Sequence, residues 1–159
     1  MAEARLSAAQ IARLAAAARE ANPLEPIRAA DAVGRDAMGH GLCTAMRFDA
    51  AAMTVRRIYS SDPAAYPVGG AKPKRDTAWG RQVLLEARVF VGEGDAAIRA
   101  HFADHALIAA LGLRSIVNIP VVVRGECRGT LNFLWAEERV APEWVPMAGL
   151  LGLTVAAGW

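Results

Sequence analysis

Two histidines flanking an aspartate are the first residues whose types and spacing suggest chemistry: "HFADH", His101 to His105, with Asp104 between them. On a continuous helix, positions four apart share a face, which is how paired imidazoles hold a metal. No cysteine, glutamate or third histidine joins them in a recognised spacing, and Asp104 suits the start of a helix over "DHALIAALG" better than it suits an ion. No metal is therefore expected. His105 is carried forward as a pocket-edge residue, with capping or surface work as the alternative. Cys43 and Cys127 stand far apart and belong to no Cys-x-x-Cys or Cys/His pattern, which argues against a disulfide scaffold or a structural zinc. In "VFVGEGDAA", Gly92, Gly94 and Ala97 resemble a dinucleotide fingerprint. No acidic residue follows about 20 positions on and the surrounding order is not a parallel βαβ unit, so this is a strand-ending turn and no cofactor is expected.

Asn118 and Asn132 are polar side chains inside the most apolar runs, "SIVNIPVVV" and "RGTLNFLW". A buried amide left without partners costs about 1 to 3 kcal/mol, so each must meet either a polar ligand or a neighbouring loop backbone. Period-two alternation puts Asn118 on the face of Ile116 and Val122 and Asn132 on that of Thr130 and Leu134. The remaining concentration of chemistry is "YSSDPAAYPVGGAKPKRDTAWG", Tyr59 to Gly80. It holds Tyr66 and Trp79, which offer flat apolar area with a polar handle, and both lysines of the protein, Lys72 and Lys74, beside Arg75. A connection longer than about 12 to 15 residues in a small domain is usually functional or disordered.

The elements that must position these residues follow from local signals. Ser7 and Gln10 form a capping-box pattern ahead of a helix over 7–21, and "NPLE" repeats a start signal, with Asn22 as cap and Pro23 in the first turn, before a stop at Gly39. Strand-like runs at 42–48 and 53–60 form a hairpin; a helical segment follows Thr77; "RVFV" is a short strand; the runs around "RGEC" form a second hairpin; and a last helix begins near Pro142. About five strands with helices gathered at the ends imply an α+β fold on a mainly antiparallel sheet. The chain of 159 residues suits one domain over 1–159, with 1–22 as a helical extension and 60–80 as a loop over the sheet. A net charge of +2 excludes a broad nucleic-acid footprint. The N-terminus lacks the apolar core of a secretory signal, and the longest apolar run, Val145 to Trp159, is shorter than the roughly 18 residues of a membrane span, so a cytoplasmic protein is expected.

The order of elements, and above all "LGLRSIVNIPVVVRGECRGTLNFL" with its glycine, serine-led strand, glycine turn and final G-x-L-x-F strand, resembles the GAF domain, a sensing fold related to PAS. The resemblance covers roughly 29–157. It implies a ligand pocket between the sheet and the segments joining the second strand to the fourth, with 60–80 as its lid and Tyr59, Tyr66, Lys72, Lys74, Trp79, Phe90, His105, Asn118 and Asn132 as binding residues. It also implies a homodimer through the terminal helices, which suits a last helix apolar on both sides: Trp144, Met147, Leu151 and Val155 on one, Leu150 and Leu153 on the other. Free methionine-R-sulfoxide reductases share the fold, but Cys43 and Cys127 do not match their cysteines, and no cysteine sits where a bilin attaches. The expected function is reversible binding and sensing of a small anionic or polar-aromatic metabolite. The alternative is a small enzyme acting on such a molecule, with His105, Tyr66 or Asp104 as acid or base and Asn118 and Asn132 as positioning groups.

Overall fold

A computed structural model describes residues 5–159; residues 1–4, the start of the expected helical extension, lie outside the described residues. Helix α1 (Ala8–Ala17) starts on a full capping box: the Ser7 hydroxyl accepts from the Gln10 N–H at 3.1 Å, and the Gln10 side chain accepts from the Ser7 N–H at 2.8 Å. Helix α2 (Glu25–Met38) begins later than "NPLE" suggests. Asn22 accepts from the N–H of Leu24 at 3.0 Å, which makes a tight turn two residues long, and Pro26 takes the first helical turn instead of Pro23. Gly39, at φ 68°, supplies the left-handed stop.

Six strands form one sheet: β1 (Leu42–Asp49), β2 (Thr54–Ser60), β3 (Gly69–Pro73), β4 (Phe90–Glu93), β5 (Ser115–Val123) and β6 (Glu126–Trp135), in the order β3-β2-β1-β6-β5-β4. Every neighbouring pair is antiparallel. The strand beyond the expected five is β3, inside the segment expected to be loop. Its glycines and prolines hide it: Gly69 and Gly70 enter at φ 87° and 72°, and Pro73 is tolerated because β3 is an edge with no partner on its far side among the described residues.

Past β3 the chain turns at Asp76 and winds into a π-helical turn (Gly80–Leu85) in place of the expected α-helix, its wide pitch marked by the Glu86 N–H donating to the Arg81 carbonyl at 2.9 Å. A Cβ on Gly80 would lie 2.3 Å from the Lys74 carbonyl oxygen, so only glycine lets the two ends of this turn close. Helices α3 (Asp95–His101) and α4 (His105–Ala110) lead into the β5–β6 hairpin, and α5 (Trp144–Val155) ends in a 3-10 turn (Ala156–Gly158).

The sheet separates two apolar cores. On one face α1, α2 and α5 cover Val117, Ile119, Leu131 and Phe133; on the other the π-turn, α3 and α4 cover Leu42, Val55, Ile116 and Leu134. In α5, Met147, Ala148, Leu151 and Val155 are buried, whereas Leu150 and Leu153 are 44% and 70% exposed, as a helix apolar on both sides requires when only one side is covered. Among the described residues no helix is long and apolar enough to cross a membrane.

Candidate ligand site

Strand register assembles the floor of the site. Thr44 of β1 lies opposite Asn132 of β6, and Asn132 opposite Asn118 of β5, so three polar side chains form a row across the sheet on the π-turn side. They bond in sequence: the Asn132 amide donates to the Thr44 hydroxyl at 3.0 Å, the Asn118 amide to the Asn132 carbonyl at 2.7 Å, and the Trp79 indole N–H to the Asn118 carbonyl at 2.9 Å. All four residues are buried. The two amides thus satisfy one another and seat Trp79, rather than bonding to loop backbone.

Above this row stands a charged group drawn from four separate elements. The Asp104 carboxylate, in the break between α3 and α4, accepts from the Tyr66 hydroxyl and from the Lys72 ammonium, the latter at 2.9 Å, with an Arg57 Nη at 3.6 Å. The Arg57 guanidinium lies over the Tyr66 ring, 3.8 Å from its centroid, and donates to the Pro67 carbonyl at 2.8 Å. Its Nε is buried without a hydrogen-bond partner among the described residues. Lys74 places its ammonium 4.9 Å from the centre of the Trp79 ring. Burial pushes the Asp104 carboxyl up, but the hydrogen bonds from Tyr66 and Lys72 and the charge of Lys72 outweigh it and hold the group below the usual carboxylate range. Burial, and then the bond to Asp104, push the Tyr66 hydroxyl well up. Burial and the neighbouring Lys72 bring Lys74 down, against the pull of Asp104. Three cations therefore face one carboxylate around a cavity of about 30 Å³. That is far below the roughly 300 to 1,000 Å³ of small-molecule sites, so the site as it stands is too small for such a ligand.

Of the residues expected to bind, Tyr66, Lys72, Lys74, Trp79, Asn118 and Asn132 line this cavity together. Phe90 lies in the same core, edge-on to Phe102 with centroids 5.9 Å apart, and is not among the lining residues. His105 is elsewhere, in a shallow cleft with Asp95, Arg99 and Leu113. The continuous helix that would pair it with His101 does not exist: α3 ends at His101, Phe102 is extended, and the His101 ring packs on Phe90 at 4.8 Å. Asp104 does not cap α4 with its side chain, because the carboxylate is held by Tyr66 and Lys72.

Tyr59 faces the opposite side of the sheet. Ala45 pairs with Tyr59 but Met46 with Arg57, so Ile58 is an extra residue, and this bulge turns Tyr59 away from the face that Arg57 occupies. The Tyr59 hydroxyl donates to Asp31 at 2.6 Å, and the other Asp31 oxygen meets His40 Nε2 at 2.7 Å and an Arg35 Nη at 3.5 Å. Burial raises the Asp31 carboxyl, but the bonds from His40 and Tyr59 prevail and bring it below its usual value. Asp31, His40 and Cys43 offer ligand atoms within 4.8 Å of one another. Burial and the Asp31 charge push the Cys43 thiol well up, and Arg35 already holds the carboxylate, so this group suits a neutral thiol and a structural ion pair better than a bound cation.

No protein-family model matches the chain, and no curated protein does. Solved structures do. The GAF domain of a phosphoenolpyruvate-protein phosphotransferase from Coxiella burnetii superposes with a TM-score of 0.73 over 93% of this chain and 90% of that one, at 15% identity. The chain has the GAF fold. Another GAF-fold neighbour is the free methionine-R-sulfoxide reductase of Neisseria meningitidis, solved with its substrate, at TM-score 0.70, 17% identity and 94% and 84% coverage. The chromophore-binding domain of a bacteriophytochrome from R. palustris matches at TM-score 0.68 and 15% identity, over 93% of this chain and 58% of that domain, so the chain spans little more than half of it. At these identities the likeness is one of fold. The expected α+β sheet with helices on one face and short segments over the other is present, with six strands in place of five.

Proposed function

We propose that this GAF-fold chain binds a small anionic or polar-aromatic metabolite on the π-turn face of its sheet, under the 60–80 segment acting as a lid. The observation that carries the reading is the convergence of Arg57, Lys72 and Tyr66 on one carboxylate, with Lys74 and Trp79 lining the same cavity and the Arg57 Nε buried without a hydrogen-bond partner among the described residues. Solvated surface cations have no need of such company. So small a cavity means that binding requires the contacts between the lid and Asp104 to open, and the lid is held by an edge strand and by side-chain bonds to Asp104.

A thermal-shift panel of small carboxylates, nucleotides and aromatic acids tests it. A ligand at a hundredfold excess over its dissociation constant should stabilise the protein by about 2.7 kcal/mol, and the Lys72→Ala, Lys74→Ala double variant should abolish the shift. Hits that persist in the double variant would place the binding elsewhere. Cys43 and Cys127 are both buried, and burial raises both thiols, so the geometry does not favour a thiolate mechanism at this site.

The sensing part of the proposal needs an output, and the terminal helices offer one. Ile11, Leu150 and Leu153 line an apolar groove of about 720 Å³ between α1 and α5, and Ile11 is 55% exposed. A second copy laid along this groove would bury it. Light scattering should give about twice the chain mass of 16.9 kDa, and Leu153→Glu should return the monomer. A monomeric wild type would remove the homodimer from the proposal.

A further inference from the structure

Resting on the reading of the pocket just given, we infer that the Asp104 carboxylate occupies the seat of a ligand carboxylate, and that binding consists of an exchange in which an aromatic carboxylate displaces Asp104 from Tyr66, Lys72 and Arg57. All three donors address the same oxygen, Oδ2, of Asp104. One carboxylate oxygen surrounded by a hydroxyl, an ammonium and a guanidinium is the coordination that a bound carboxylate receives.

Arg57 does not depend on Asp104 for its own placement. The Arg57 side chain, 10% exposed, is fixed by its bond to the Pro67 carbonyl and by the Tyr66 ring beneath it. Lys72 is set by β3, where Val55 pairs with it. The buried Nε of Arg57 is a donor that Asp104 leaves unused. Asp104, by contrast, sits in a short connector between two short helices, after the extended Phe102, and its carboxylate takes no part in capping α4. Arg57 is held from its own side, whereas Asp104 is carried by a connector that its carboxylate does not tie to α4.

The apolar half of the ligand follows from what lies next to the seat. Trp79 and Phe102 pack edge to face at 6.3 Å, and Phe102 is carried by the same connector as Asp104. A swing of that connector would withdraw the carboxylate and the ring together, opening space against Trp79 for a flat apolar body whose anionic end takes the seat. The excess of cations keeps this face attractive to an anion even while Asp104 is in place.

Benzoate, with benzamide as its neutral isostere, tests the exchange by titration calorimetry at fixed ionic strength. An internal occupant lowers apparent affinity by the fraction of open protein, so Asp104→Asn should bind benzoate at least about tenfold more tightly than the wild type. Asp104→Ser, which also removes the charge, should behave the same way. Each should gain less affinity for benzamide than for benzoate, and adding Lys72→Met should erase the excess. If both Asp104 variants bind benzoate no better than the wild type while either compound still binds, the exchange is wrong and the pocket stands. If neither compound binds any variant, the exchange falls together with the reading of the pocket on which it rests.

Discussion

Trp79→Ala is expected to lower stability by about 3 to 5 kcal/mol for the lost ring, and the orphaned Asn118 carbonyl adds about 1 to 3 kcal/mol. Trp79 is only 2% exposed, meets Phe102 edge-on, and gives its indole N–H to Asn118, so its removal opens a cavity and leaves a buried acceptor unpaired at once. The row Thr44–Asn132–Asn118 then loses the member that closes it from the lid side. For a chain of this length each 1 kcal/mol moves the melting temperature by about 2 to 4 °C, so a scan by circular dichroism should show a fall of more than about 10 °C. Trp79→Phe keeps most of the volume and should lose much less. A melting temperature unchanged in the alanine variant would mean that the lid does not pack on the sheet as described.

On the other face of the sheet, Asp31→Ala is expected to be destabilising, because each buried polar group it leaves unpaired costs about 1 to 3 kcal/mol. The carboxylate is the common acceptor for His40, Tyr59 and Arg35, and the deletion strands a fully buried imidazole and a phenol hydroxyl without a second partner among the described residues. The pH dependence has a definite sign. The folded pKa of Asp31 lies below its usual value, so its ionised form contributes fully above the unfolded carboxylate pKa of about 3.9 and is lost as pH falls through the folded value. Urea unfolding at pH 7 and at pH 3 should therefore show a wide gap between wild type and Asp31→Ala that narrows in acid. A gap that stayed constant would assign the loss to packing alone.

Both predictions concern residues whose importance the sequence revealed unevenly. Rules that act within a few residues were enough for the capping box at Ser7, the stop at Gly39 and the β5–β6 hairpin. Alternation placed Asn118 with Ile116 and Asn132 with Leu134 on the faces they occupy, and failed for Val122, which lies beyond the bulge between Val121 and Val122. The same rule failed for Tyr59, because the extra Ile58 inverts the pattern, and nothing local announces an inserted residue. Arg57 was missed for a related reason: a charged side chain in "TVRRIY" reads as solvent-facing until a lid segment is known to lie over it. Asp104 fits a cap by every local criterion, and its actual partners stand 32 and 38 residues away. β3 was hidden by the glycines and prolines that an edge strand accepts and a central strand does not.

The central claim is that a small molecule binds between the lid and the sheet, and the Trp79 indole N–H is the group placed to report it. In ¹⁵N-labelled protein the four tryptophans give separate indole signals, and Trp79→Phe identifies the one bonded to Asn118. Titrating the hits of the thermal-shift panel should move that signal more than the indoles of Trp135, Trp144 and Trp159, which belong to the opposite core. Stabilising compounds that left the Trp79 signal in place and moved those of the terminal helices would contradict the account.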